Sequence, residues 1–335
     1  MKRLLPLLVL MLCLLTYAVP AAANNYDNPD TLIVARDGTG EFRTIGEAVE
    51  VCRAFMEYHK VIFVKRGTYK EKLEIPSWLT HIEILGEDAE TTIITYDDHA
   101  NIRIPKIGDD THSAWQPMGT FRTYTVKVEG SYITFRNITI ENNAAKLGQA
   151  VALHTEGDCL QFVNCRLLGN QDTVYTGAAN TRILFLRCYI EGTTDFIFGP
   201  STAWFEQCTI HSKSDSYVTA ASTPADVAFG YVFNRCRLTA AEGVDKVWLG
   251  RPWRPYAYTL FMNCELGSHI VGSGWDNWSN ANNELTARYA EYNNSGPGAN
   301  TKERAHWSRQ LTKREAQAVT PQAVLGNSSL WHDNW

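Results

Sequence analysis

Asp172 and Asp195 stand 23 residues apart, at the same place in a phrase that the chain makes twice. Read from Cys165 the phrase runs Cys165, Leu167, Gly169, Asp172, Val174, Tyr175; read from Cys188 it runs Cys188, Ile190, Gly192, Asp195, Ile197, Phe198. A fixed offset between like residues marks stacked repeats. Adjacent parallel strands lie ~4.8 Å apart, so two outward-facing acids at one coil position are expected in contact. Carboxyl groups that close cannot both ionise cheaply, and the pair keeps one proton near neutrality. It thereby offers a proton donor together with an anion able to act as nucleophile or base. Either residue alone would read as a turn aspartate bonded to backbone amides; the matched spacing argues against that reading for both.

Three further pieces belong beside the pair. Gln171 adjoins Asp172, and Gln149 opens the preceding phrase Gln149-Ala150-Val151-Ala152-Leu153. A neutral amide can donate to a developing oxyanion without pairing with the acids. Arg251, in Leu249-Gly250-Arg251-Pro252-Trp253, could hold one carboxylate ionised through charge-assisted hydrogen bonds. Trp253 suits a platform for a sugar ring. Taken singly, the glutamines read as surface residues, Arg251 as a structural ion pair and Trp253 as core packing.

The elements that must position these residues form a wider repeat. Phe-x-x-Cys-x-Ile/Leu recurs at Phe162/Cys165, Phe185/Cys188, Phe205/Cys208, Phe233/Cys236 and Phe261/Cys264, with Phe135/Ile138 as an earlier relative. Short β-rich phrases about one coil apart, joined by loops of variable length, predict a parallel β-helix. An aromatic residue and a cysteine three apart would fall on opposite faces of a straight strand. A bend at Asn164, Arg187, Gln207, Arg235 or Asn263 would turn both inward. The five cysteines are then expected as an internal stack of small apolar residues. A metal cluster is disfavoured, since there is no Cys-x-x-Cys and the 9 histidines lack ligand spacing.

With 335 residues, 44% apolar and 20% charged, the chain is large enough for one long core and is not disordered. Lys2 and Arg3, an apolar run from Leu4 to about Val19 and the small residues Ala21-Ala22-Ala23 read as a secretory signal peptide over 1–23, cleaved after Ala23. A secreted or periplasmic protein is expected, with no membrane span in the mature chain and a single domain over 24–335. The formal charge of −5 becomes −7 once Lys2 and Arg3 are lost. No nucleic-acid partner is expected for a chain of that sign. Thr44 followed by Glu47 predicts a capping box and a short helix, placed to cap the open end of the stack. Residues 97–122 read as a long excursion that shapes a groove, and 280–335 as a carboxy-terminal layer.

Five segments, Gly67-x-Tyr69-x-Glu71, Gln149-Ala-Val-Ala-Leu153, Gly169-Asn-Gln171-Asp172-Thr173, Asp195-Phe-Ile-Phe-Gly199 and Leu249-Gly-Arg251-Pro-Trp253, resemble in order the signature segments of pectin methylesterases. The resemblance spans roughly residues 31–335. It implies an all-β, right-handed parallel β-helix that hydrolyses the methyl esters of galacturonate units in homogalacturonan, releasing methanol, with no metal or other cofactor. It further implies Asp195 as nucleophile, Asp172 as general acid then base, Gln149 and Gln171 as oxyanion donors and Arg251 as the partner of Asp195. Trp253, Tyr175 and Phe198 would line the sugar subsites, and a monomer is expected. Asp195 acting as a base on water stays open. A pectate lyase would need clustered carboxylates for Ca²⁺, and a serine esterase a Gly-x-Ser-x-Gly elbow. A carbohydrate-binding β-helix without activity would not call for both acids and Arg251.

Overall fold

The computed structural model describes residues 31–55, 59–106, 108, 111 and 113–327. The expected signal peptide lies outside them. Three parallel sheets of eleven, eight and seven strands share the chain, and within the main run of coils each strand pairs with its equivalent in the next coil. This is the parallel β-helix that the repeat predicts. Among the described residues no helix is long and apolar enough to cross a membrane.

The phenylalanines of the repeated phrase form one continuous ladder inside the coil. Ring centroids from Phe135 through Phe162, Phe185, Phe205 and Phe233 to Phe261 are 5.4, 5.1, 4.6, 4.2 and 4.3 Å apart. All six are fully buried. Truncating one ring to alanine in such a stack costs about 3–5 kcal/mol. The five cysteines run alongside as free, buried thiols. Each Sγ donates to the carbonyl of the phenylalanine one coil earlier, from Cys165 onto Phe135 at 3.4 Å to Cys264 onto Phe233 at 3.5 Å.

The bends fall where the phrase requires them. Asn164, Arg187, Gln207, Arg235 and Asn263 all have φ between 52° and 55°, a left-handed conformation that asparagine tolerates best. It carries the chain round a corner so that the aromatic residue before it and the cysteine after it both face the lumen. Asparagines at this corner also bond to one another: Asn164 Nδ2 donates to Asn137 Oδ1 at 2.8 Å, and Asn293 Nδ2 to Asn263 Oδ1 at 2.9 Å.

The coil continues past the point where the phrase ceases to be readable. Strand Arg288–Tyr292 pairs in parallel with Tyr258–Met262, placing Glu291 opposite Phe261. Glu291 and Asn294 therefore occupy the aromatic and cysteine positions, and Asn293 supplies the bend with φ 49°. The buried Glu291 is neutralised by the equally buried Arg304, 2.7 Å away. Asn294 Oδ1 accepts from the Cys264 amide at 2.9 Å. Helix Pro321–Leu325 then buries Val324 and Leu325 against an outer cluster that includes Trp204.

At the other end, helix Ile45–Glu50 has the expected capping box between Thr44 and Glu47 and buries Ile45, Ala48 and Val49 in the main core. Glu71 accepts from the Ile45 and Gly46 amides at 3.0 and 2.9 Å, which explains the acid at the end of the Gly67-x-Tyr69-x-Glu71 segment. The excursion at 97–122 holds an antiparallel ribbon, Arg103–Pro105 with Trp115–Pro117, and a 3₁₀ turn at Thr120–Arg122.

Under native conditions a thiol reagent should react with Cys52 alone among the seven cysteines from Cys52 to Cys264, since the other six are buried. All seven should react in denaturant. Native labelling of any of the five stacked cysteines, detected by mass spectrometry, would contradict this packing.

Candidate active site

The acid pair sits on the turn that leads into the seven-stranded sheet. Val174 pairs with Ile197, so Asp172 and Asp195, each two residues earlier, occupy equivalent positions in neighbouring coils. Both have left-handed backbones, φ 67° and 50°. Their amides are tied to the following coil: Asp172 N–H donates to Thr194 O at 3.1 Å and Asp195 N–H to Tyr217 O at 2.9 Å. The glycine of the repeated phrase has a steric reason. A Cβ at Gly192 would lie 2.2 Å from Phe196 Cβ and 2.7 Å from Asn170 O, so the turn closes only without a side chain there.

Arg251 grips Asp195 with both arms, Nε to Oδ1 at 2.9 Å and Nη2 to Oδ2 at 2.6 Å. Bidentate, charge-assisted pairs of this kind are short and directional. The guanidinium itself lies between two ring faces, 3.9 Å from the centroid of Tyr217 and 3.7 Å from that of Trp278, where the ring quadrupoles favour the cation.

One cleft of ≈ 240 Å³ is lined by Asp172, Asp195, Gln149, Gln171 and Arg251, with Phe198, Trp253, Trp278, Thr120 and Phe121 among its walls. The two glutamines are stacked through their backbones: Ala150 N–H donates to Gln171 O at 3.1 Å, and Ala100 N–H to Gln149 O at 2.8 Å. Seven of the eight residues singled out from the sequence thus meet in one cleft. Tyr175 stands one step beyond its lining, its ring 4.7 Å from Phe198 and 4.8 Å from Phe121.

The electrostatics of the two acids differ. Burial pushes Asp172 up to about 8, the charge on Asp195 adds to this, and Arg251 opposes it. Burial also raises Asp195, but there the hydrogen bonds and charge of Arg251 pull the other way. Among the described residues a cation sits on the oxygens of Asp195 and none on those of Asp172, an arrangement that favours the proton on Asp172 and the charge on Asp195. A buried acid beside a buried, paired carboxylate can deliver a proton and present a nucleophile or base at the same time.

Sequence reasoning missed Tyr217, Trp278 and Phe121. For Tyr217 a signal exists: Ile197 pairs with Thr219, so Tyr217 takes the position of Asp172 and Asp195 in the next coil. Trp278 belongs to the segment Ser273–Trp278, which reads as a turn cluster. Phe121 lies in the excursion, where no repeat gives a register.

The fold and the cleft define a β-helical enzyme with an acid pair in an aromatic-walled cleft. The sequence matches the Pectinesterase family over residues 31–328. Pectinesterase 31 of Arabidopsis thaliana is 37% identical over 286 residues, covering 84% of this chain and 88% of that protein. The pectin methylesterase from carrot superposes with a TM-score of 0.81 at 31% identity, covering 90% of this chain and 94% of the carrot chain. A pectin methylesterase variant solved in complex with a hexasaccharide superposes at 0.75 and 27% identity, covering 89% and 97%. The chain spans about half, 48%, of a Brassica napus relative whose name pairs pectinesterase with pectinesterase inhibitor, at 35% identity over 293 residues covering 83% of this chain. The chain belongs to the pectinesterase family, whose enzymes are carboxylic ester hydrolases.

Because Asp172 holds its proton up to about pH 8 in the fold, while an unfolded aspartate releases it near 4, its titration stabilises the folded state fully below pH ~4. That contribution is lost as the pH rises through about 8. Asp172→Asn removes this titration, so the variant should gain on wild type between pH 4 and 8, by a few kcal/mol at most. Urea unfolding at pH 4, 7 and 9 checks this; a stability difference that stays constant with pH would contradict it.

Proposed function

We propose that this chain removes methyl esters from galacturonate units of pectin, with Asp195 as nucleophile and Asp172 as general acid and then base. The observation that carries the reading is the asymmetry of the pair, one carboxylate clasped by Arg251 and its neighbour, among the described residues, without a cation on its oxygens. A carboxylate oxygen of Asp195 attacks the ester carbonyl carbon, and the amide groups of Gln149 and Gln171 donate to the oxyanion that forms. Collapse breaks the bond to methoxide, which leaves as methanol with the proton of Asp172. The Asp172 carboxylate then takes a proton from water, whose oxygen attacks the acyl-enzyme. This frees the Asp195 carboxylate and leaves Asp172 protonated again, and the galacturonic acid formed gives its proton to solvent and departs as the carboxylate.

The chemistry of the cleft suits methyl-esterified homogalacturonan. An esterified stretch is neutral and does not suffer from the negative charge of the chain. Trp253 and Phe198, with ring centroids 5.8 Å apart, offer apolar faces to sugar rings, and Tyr175 extends them. The related pectin methylesterase solved with a hexasaccharide supports an oligosaccharide in this groove. In keeping with the signal peptide read at 1–23, we propose a secreted or periplasmic enzyme, and we propose that it works as a monomer.

Methanol release from esterified polygalacturonate should be lost in Asp195→Ala and fall about 10²–10³-fold in Gln171→Ala, the usual effect of removing one oxyanion donor. Equal rates in wild type and Asp195→Ala would remove Asp195 from the chemistry. The acid step needs Asp172 protonated, so kcat/KM should descend as the pH rises through about 8. A profile still flat at pH 10 would contradict that role.

A further inference from the structure

The seven-stranded sheet that floors the cleft at Phe198 continues past the cleft lining. Register places Glu74, Lys127, His154, Tyr175 and Phe198 in one row, each a coil further along the seven-stranded sheet. The rings keep close contact along it: Tyr175 is 4.7 Å from Phe198, His154 is 4.7 Å from Tyr175, and Tyr124 is 6.0 Å from His154. A step of ~4.8 Å between coils is comparable with one pyranose ring, so the row offers roughly one sugar position per coil.

Glu156 follows Thr155, which pairs with Thr176, so it stands beside Gly177 at the end of this row, on the coil before that of Asp172. Its Oε1 is 2.7 Å from His154 Nε2. A Cβ on Gly177 would meet the same oxygen at 2.6 Å and Tyr175 Cε1 at 2.9 Å. Only a residue without a side chain at 177 therefore leaves the carboxylate its place beside the Tyr175 ring. The bond to His154 holds Glu156 below the usual glutamate range, and its charge, after burial, raises the Tyr175 hydroxyl. The charge of Lys127 also lowers Glu156, but both nearby lysines have carboxylate partners of their own. Lys127 is bonded to Glu129, and Lys72 to Asp98 at 2.7 Å with its ammonium over the Tyr124 ring.

We infer that Glu156 is a specificity-determining residue whose carboxylate flanks the sugar bound next to the one whose ester is hydrolysed and disfavours a free carboxylate there. The polymer is then taken up with a methyl ester in that neighbouring position, and sparsely esterified stretches are passed over. This rests on the ester-hydrolase reading above.

The test compares kcat/KM for methanol release, per ester group, on highly and sparsely methylated homogalacturonan. Glu156→Gln keeps the shape and an acceptor for His154 while removing the charge. Two like charges a few ångströms apart near a protein surface change a binding ratio by about three- to tenfold. The variant should narrow the preference for the highly methylated polymer by that factor, by speeding the sparse one and leaving the dense one unchanged. An unchanged preference, or equal slowing on both polymers, overturns the inference. Should that variant fail to fold, Glu156→Ser, which also removes the charge, decides: it should narrow the preference in the same way, and a preference unchanged from wild type overturns the inference. Absence of methanol from both polymers with wild type would instead overturn the esterase reading itself.

Discussion

The constraint on which the structure depends is the coil-to-coil register of the parallel sheets. One spacing of ~4.8 Å sets the phenylalanine ladder, the corner asparagines and the acid pair. Each is one residue type, or two of like chemistry, repeated at a fixed coil position. Apolar types repeated inward form the core, since stacked rings at 4.2–5.4 Å bury their faces on each other. Ionisable types repeated outward create the opposite situation, a repulsion that the fold enforces. The energy of the ladder holds two carboxyl groups where neither would settle alone.

Arg251 breaks the symmetry of that repulsion. It arrives on a later coil, where its backbone amide donates to Thr219 O at 2.9 Å, and reaches back to Asp195. The ring faces of Tyr217 and Trp278 restrict the guanidinium to one orientation. Two identical side chains on equivalent turns thus become different chemical groups, and the difference comes from their neighbours rather than from the residues themselves. The aromatic side chains around the pair serve both purposes: they exclude water from the acids and form the floor along which a polymer can lie.

The parts of the fold that repeat were legible in the sequence, because stacking forces like residues into like positions. The 23-residue offset placed Asp172 opposite Asp195, and the three-residue gap between phenylalanine and cysteine located the bends. Legibility ended where the chemistry of a position changed while its geometry stayed the same. Glu291 and Asn294 occupy the aromatic and cysteine positions with polar bonds in place of packing, so the last coil looked like the start of a separate layer. Tyr217 shares the coil position of the acids but not their type. Phe121 and Trp278 come from segments outside the repeat, and only the folded chain shows that they border the cleft.

The central claim is that near neutrality the proton of the pair belongs to Asp172 and the charge to Asp195. Carbon-13 NMR of the protein labelled at aspartate carboxyl carbons, titrated in wild type, Asp172→Asn and Asp195→Asn, tests it directly. The account predicts one carboxyl titrating near 8 in wild type, absent from Asp172→Asn and moved to lower pH in Asp195→Asn, where the neighbouring charge is gone. A high titration that disappears with Asp195 and survives the loss of Asp172 would contradict it.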